Sequence, residues 1–212
     1  ATAGDVWTNP TGGDWATGSN WQGGTPVDAA GATATFSTES QEGGATVSLA
    51  SGVTLGGLSF SAVNGYSLTG SPLAFNNGSA SANISVAFGS NTLASAASFA
   101  GPAVFSTTNG SSLTVSGALT GQDEIAANPA ASGGGTVAFN NVSGFTGRLS
   151  TGCGRTVIDS LAFVKDPADL VLGPGTLRYT GSGETIPGLT VNSGSARGSV
   201  LAIDNDLTML SC

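Results

Sequence analysis

The sequence of 212 residues contains no histidine, five basic residues and two cysteines. Without histidine, neither Ser-His-Asp nor Cys-His catalysis can be assembled, and the common zinc sites lose their usual ligand. One lysine and four arginines stand against 13 acidic residues, which gives a net charge of −8. Because nucleic acids and anionic membrane surfaces are bound through many cationic contacts, we expect neither as a partner.

Long apolar runs are missing as well. No stretch approaches the roughly 20 apolar residues that span a bilayer, so we expect no membrane insertion. We also expect no cofactor. Charged residues make up only 8% of the chain, and Ser, Thr and Asn take the positions that Lys and Glu fill on cytosolic proteins. This composition and the start at Ala1, without a methionine, favour a mature exported protein that is secreted or displayed on a cell surface.

Short strand patterns dominate what is present. Runs of three to five residues alternate apolar and polar side chains and are bounded by Gly, Asn, Ser or Pro, as at residues 45–49, 84–88 and 136–139. Period-two alternation with one apolar face is typical of half-buried strands. No window of 11 residues shows convincing helical spacing of apolar residues.

The strand lengths favour one architecture. Immunoglobulin-like sandwiches use about seven strands per roughly 100 residues, whereas the strands here are shorter and more closely spaced. Each coil of a β-solenoid contributes short strands to two or three faces, and each strand pairs with its counterpart one coil along. We therefore predict an all-β fold, a β-solenoid resembling a parallel β-helix. Similar glycine-led phrases recur at residues 110–117, 135–139 and 175–179, but they have no strict period and fix no coil length.

The N-terminal segment differs from the rest because it holds all three tryptophans, Trp7, Trp15 and Trp21. We predict that residues 1–36 form a Trp-containing cap on a solenoid built from residues 37–212. Such a cap would cover the open apolar end and the unpaired strand edges of a solenoid. The less favoured interpretation is a binding site in which the three indole rings stack on sugars.

The opening of the chain carries a family resemblance. Residues 14–26 read Asp-Trp-Ala-Thr-Gly-Ser-Asn-Trp-Gln-Gly-Gly-Thr-Pro, and residues 30–36 read Ala-Gly-Ala-Thr-Ala-Thr-Phe. This phrase resembles the start of bacterial surface proteins with autotransporter-associated β-strand repeats. The similarity continues through residues 53–60, 66–70, 135–141, 145–149 and 175–183. It implies a secreted, passenger-like β-helix on a cell surface with a structural or adhesive role, although residues 160–174 fit no repeat.

Paired carboxylates are the remaining route to catalysis. Glycoside hydrolysis requires two carboxyl groups about 5–5.5 Å or about 6.5–9.5 Å apart. The candidate pairs are Asp123 with Glu124, Asp204 with Asp206, and Glu39 with Glu42. Asp204 and Asp206 are also weak candidates for a calcium site, because Ca²⁺ prefers oxygen ligands. Since no complete calcium-binding loop surrounds them, we favour solvated carboxylates in a turn.

Two features leave their alternatives open. Cys153 and Cys212 either form one disulfide that closes a long loop or are two unrelated thiols. Residues 207–212 themselves have the alternating pattern of an apolar strand. That pattern either exposes an edge on which copies stack head to tail into a filament, or marks the place where a longer protein was cut.

From these observations we predict a non-enzymatic, extracellular structural or adhesive surface protein, and in one version a self-assembling fibre subunit. Its candidate partners are further copies of the same chain and surface glycans. The alternatives are a carbohydrate-binding module that uses the tryptophans and a carboxylate-dependent β-helix enzyme that degrades polysaccharides.

Overall fold

The computed structural model describes residues 4–37, 44–129, 134–191 and 199–204, and the backbone of 207–209. Within these ranges the regular secondary structure is almost entirely short β-strands, which are separated by turns. The two helical elements are single 3₁₀ turns, Gly18–Asn20 and Pro167–Asp169. The prediction of an all-β chain is therefore confirmed.

The strands form two long parallel sheets, a shorter third sheet and a two-stranded sheet. The first long sheet contains, in spatial order, β1 (Asp5–Trp7), β3 (Thr33–Phe36), β6 (Gly57–Phe60), β9 (Ala82–Val86), β12 (Ala103–Thr107), β15 (Ile125–Ala127), β18 (Leu149–Thr151), β20 (Leu170–Leu172) and β23 (Thr190–Val191).

The second long sheet contains β2 (Gly12–Asp14), β4 (Ala45–Leu49), β7 (Tyr66–Gly70), β10 (Ser90–Leu93), β13 (Ser112–Val115), β16 (Thr136–Phe139), β19 (Arg155–Ile158), β21 (Gly175–Tyr179) and β24 (Ser199–Ile203). The short sheet contains β5 (Val53–Leu55), β8 (Leu73–Phe75), β11 (Ala97–Phe99), β14 (Leu119–Gly121) and β17 (Gly144–Phe145). The two-stranded sheet pairs β22 (Glu184–Ile186) with β25 (Leu207–Met209).

The strand order shows that the chain winds as a β-solenoid, as predicted. Each strand pairs in parallel with its counterpart on the next coil. Coil length varies from 19 residues, between the paired Ala138 and Val157, to 34, between Gly12 and Thr46 in the first coil. This variation is absorbed in the turns, and it explains why no strict period is visible in the sequence.

The core consists of inward side chains that stack from coil to coil. One column of the first long sheet runs through Trp7, Phe36, Phe60 and Val86, all of them buried. The rings of Phe36 and Phe60 stack with centroids 5.1 Å apart. Because β-strands alternate inward and outward positions, burial of every second residue produces the apolar–polar alternation of the sequence.

Corners between faces bring backbones of adjacent coils together, and glycine occupies several of these corners. At Gly65, φ is +73° and a Cβ atom would lie only 2.0 Å from the carbonyl oxygen of Ser90. Any other residue would be strained there and would also clash with the next coil. Glycine therefore permits both the turn and the coil spacing at this corner.

The two segments singled out in the sequence have distinct places. Strands β1 and β2 pair with β3 and β4, so β1 and β2 form the first layer of the stack, and β3, at the end of residues 4–36, already belongs to the second. In the segment 160–174, Pro167–Asp169 forms a 3₁₀ turn closed by reciprocal hydrogen bonds between Asp166 and Asp169. Phe163 and Val164 of this segment are buried.

Replacing a stacked core ring should cost far more stability than replacing an exposed one. Phe105 is fully buried and packs edge-to-face on Phe99 and Phe139, at centroid distances of 5.7 and 5.1 Å. We expect Phe105→Ala to lower the free energy of unfolding by about 3–5 kcal/mol. The matched control is Phe88→Ala, because Phe88 is 57% exposed. Chemical denaturation measures both, and equal losses would contradict the predicted core.

Candidate functional site

The three tryptophans form one buried cluster in the first layer. Trp21 packs edge-to-face on Trp7 at 5.3 Å and on Trp15 at 4.8 Å, and all three rings contact Phe36. Each indole N–H donates a hydrogen bond to a backbone carbonyl: Trp7 to Asn9, Trp15 to Val27 and Trp21 to Trp15. The cluster therefore satisfies its polar atoms internally.

This burial corrects the interpretation of Trp7, Trp15 and Trp21 as a ligand-binding site. Their side chains are at most 3% exposed, whereas a sugar needs an accessible ring face on which to stack. The rings instead pack against Phe36, whose side chain stacks on Phe60 of the next coil. The tryptophans are thus part of the core at this end of the solenoid.

The outer surface of the second long sheet carries an ordered set of small hydroxyl side chains, here called the hydroxyl array. Strands β4, β7, β10 and β13 place two Ser or Thr residues each on this surface, and their central column is in register from strand to strand. The array consists of Thr46, Ser48, Ser67, Thr69, Ser90, Thr92, Ser112 and Thr114. All eight are exposed or half-buried, so the outer surface of these four strands is polar and uncharged, whereas Arg155 and Arg178 carry charge on later strands of the same sheet.

The pair Asp123 and Glu124 is divided between two environments. Glu124 accepts a hydrogen bond of 2.6 Å from the Ser150 hydroxyl and lies 4.0 Å from the Arg148 guanidinium. Asp123 borders an open groove over the short sheet, where Gly121 and Gly144 carry no side chains. The carboxylate of Glu124 is thus tied to its neighbours on the next coil and is not paired with Asp123.

Asp204 is held in an exposed ion pair with Arg178. The Arg178 Nη2 lies 2.6 Å from Asp204 Oδ2, and Nε donates to both carboxylate oxygens at 2.9 and 2.8 Å. These hydrogen bonds lower the pKa of Asp204, and attraction to Arg155 lowers it further. Asp206, its predicted partner for calcium or catalysis, lies outside the described residues. A calcium site at Asp204 and Asp206 therefore stays a prediction.

Of the remaining predicted site residues, the structure describes only Cys153. Glu39 and Glu42 lie outside the described residues. Cys153 is buried, and Cys212 lies outside the described residues, so a disulfide between them stays a prediction. Across the described residues, no group of three or more His, Cys, Asp or Glu side chains is placed to hold a metal ion.

The structure brings together a polar cluster that the sequence analysis missed: Asp159, Ser160, Tyr179 and Glu184. Asp159 follows β19 on one coil, while Tyr179 ends β21 and Glu184 begins β22 on the next. Glu184 accepts hydrogen bonds from the Ser160 hydroxyl at 2.6 Å and from the Leu161 N–H at 2.5 Å. Asp159 and Glu184 are 25 residues apart in sequence, so predicting that they lie close together would have required knowledge of the coil length.

Electrostatics within this cluster are unfavourable. Partial burial raises the pKa of Asp159, backbone hydrogen bonds, the largest from Val142, lower it, and repulsion from Glu184 raises it by a smaller amount. Burial also raises the pKa of Tyr179 to about 12, with smaller contributions from Glu184 and Asp159. The arrangement therefore concentrates two carboxyl groups beside a neutral phenol.

In the part of the chain that the structure describes, no helix is long and apolar enough to cross a membrane. Comparisons of the chain with protein-family models, with curated proteins and with solved structures find no match. The site must therefore be interpreted from its own geometry.

The exposed ion pair should be visible in the titration of Asp204. A lowered folded-state pKa means that its stabilising contribution is present above the unfolded pKa and is lost as pH falls through the folded one. We expect Arg178→Gln to raise the Asp204 pKa toward its ordinary value, as followed by carboxyl ¹³C NMR. Arg155→Gln should raise it less, since it removes only a longer-range attraction. An unchanged midpoint in Arg178→Gln would contradict the ion pair.

Proposed function

We propose that this protein is a non-enzymatic, extracellular surface protein with a structural or adhesive role. The observation that carries the proposal is the hydroxyl array on a continuous β-solenoid. A regular, uncharged and polar face along a rod suits display and contact with other surfaces. It also depends little on ionic strength, because screening by salt acts on charges.

The placement of the acidic residues supports a non-catalytic role. Glu124 is tied to Arg148 and Ser150, and Asp204 is tied to Arg178. A general acid or base must be free to reach a substrate, whereas both of these carboxylates are engaged by neighbouring side chains. The resemblance of the opening phrase to proteins with autotransporter-associated repeats points to the same kind of surface role.

One version of the proposal adds head-to-tail assembly. Strands β23 and β24 are the last strands of the two long sheets among the described residues. Val191 and Ile203 continue core columns from Leu172 and Tyr179, yet they are 53% and 42% exposed. Core-facing side chains left exposed at a sheet edge favour a further layer, and a second copy of the chain is one way to provide it.

Electron microscopy of the purified protein tests assembly. If copies stack through this end, the wild type should form filaments, and Ile203→Asp should not, because it places a charge in the joint. Val63→Asp is the matched control, since Val63 is also an exposed β-branched apolar residue, at 56%, but does not continue these core columns. Discrete short rods from the wild type would remove the fibre version of the proposal.

Activity measurements test the non-enzymatic role. We expect no sustained product release when the protein is incubated with a broad panel of polysaccharides. We also expect the far-UV circular dichroism and the unfolding midpoint to change little between low and molar NaCl, because few charges contribute to the fold. Sustained release of sugar fragments by pure protein would contradict the proposal and favour the polysaccharide-degrading alternative.

A further inference from the structure

The cluster of Asp159, Tyr179 and Glu184 lacks the charge compensation found at comparable places. Glu124 and Glu184 both accept a 2.6 Å hydrogen bond from a serine on a neighbouring coil. Glu124 also has Arg148 beside it, and Asp204 has Arg178. Within the described ranges, neither Asp159 nor Glu184 forms an ion pair with a lysine or arginine.

The buried hydroxyl of Tyr179 is a second, independent feature of this corner. The Tyr179 side chain is fully buried, and its hydroxyl has no hydrogen-bond partner among the described residues. Glu184 and Asp159 lie near enough to influence its ionisation. A buried polar group without a well-aligned partner is rare in native proteins, and a bound ion is one way to satisfy it.

The backbone around the cluster is fixed by the coil register. Ile158 pairs with Tyr179, and a Cβ atom on Gly181 would lie 2.1 Å from the Asp159 carbonyl oxygen and 2.7 Å from the Tyr179 hydroxyl. Glycine at this position therefore lets the two coils approach each other beside the carboxylates. The oxygen atoms of two adjacent coils meet at one half-buried corner.

We propose that Asp159 and Glu184, with the Tyr179 hydroxyl beside them, bind a calcium ion that joins the two coils. Ca²⁺ accepts six to eight oxygen ligands in flexible geometry, and water completes the shell when protein ligands are few. Each carboxylate retains lone pairs beyond the hydrogen bonds it accepts. The ion would offset the repulsion between the two carboxylates, which no protein cation does here.

The ligand set also predicts the strength and selectivity of binding. With two carboxylates, we expect a dissociation constant of about 10⁻⁴–10⁻³ M, in the range of weak calcium modules. Mg²⁺ should bind less well, because it requires near-ideal octahedral geometry and gives up its water reluctantly. Because the ion contacts residues from two coils, its binding should stabilise the folded state.

Thermal unfolding of the chelator-treated protein tests the site. Adding 10 mM CaCl₂ should raise the Tm of the wild type by several degrees relative to NaCl of equal ionic strength. The rise should disappear in Asp159→Asn and in Glu184→Gln. It should persist in Glu124→Gln, which removes a carboxylate with the same serine contact but with an arginine beside it. The readout is the calcium-dependent difference, so a lower baseline Tm in a variant does not obscure it.

Two results would overturn the proposal: no calcium-dependent rise in the wild type, or an equal rise in the wild type and both cluster variants. The latter would place any calcium site elsewhere in the chain. Calorimetric titration with Ca²⁺ alone provides a second measurement that does not depend on unfolding. It should give one ion per chain for the wild type and for Glu124→Gln, and no detectable binding for Glu184→Gln.

Discussion

The parallel backbone ladder between successive coils is the interaction on which the rest of the structure depends. Most strands have only three to five residues, and a strand of this length has no stability of its own in water. It persists because hydrogen bonds join it to the coils on either side and because its inward side chains continue columns such as Ala34, Leu58, Ile84 and Phe105. Stability therefore comes from nearest-neighbour contacts repeated along the axis.

The same ladder determines what the surface can do. Because outward positions are also in register, similar side chains fall into lines, and the hydroxyl array is the clearest example on the second long sheet. Charges on adjacent coils are brought together as well, which produces two ion pairs with arginine, at Glu124 and Asp204. Just beyond the paired strands β19 and β21, the turns of two coils bring the like charges of Asp159 and Glu184 together, and the bound calcium ion proposed above would compensate them.

Much of this architecture was predictable because alternation is local. In the runs Ala45–Leu49 and Thr136–Phe139, the alternation of apolar and polar residues predicts which side chains face inward and which face outward, and both runs are strands of the solenoid. Coil length was not predictable, because turns of unequal length separate the strands. The burial of Trp7, Trp15 and Trp21 depends on how the first layer folds over Phe36. The cluster of Asp159 and Glu184 depends on register across 25 residues, which no local pattern encodes.

Distances between spin labels along one outward column test the in-register stack most directly. Thr46, Ser67, Thr92, Thr114, Ala138 and Val157 succeed one another on neighbouring strands. Cys153 and Cys212 are first replaced by alanine, so that labels attach only at the chosen positions. Because each coil adds one interstrand spacing of about 4.8 Å, the backbone positions 46 and 138 should lie about 19 Å apart across the stacked strands. Positions 46 and 157 should lie about 24 Å apart. A separation that fails to grow by one spacing from the first pair to the second would contradict the stack of parallel coils.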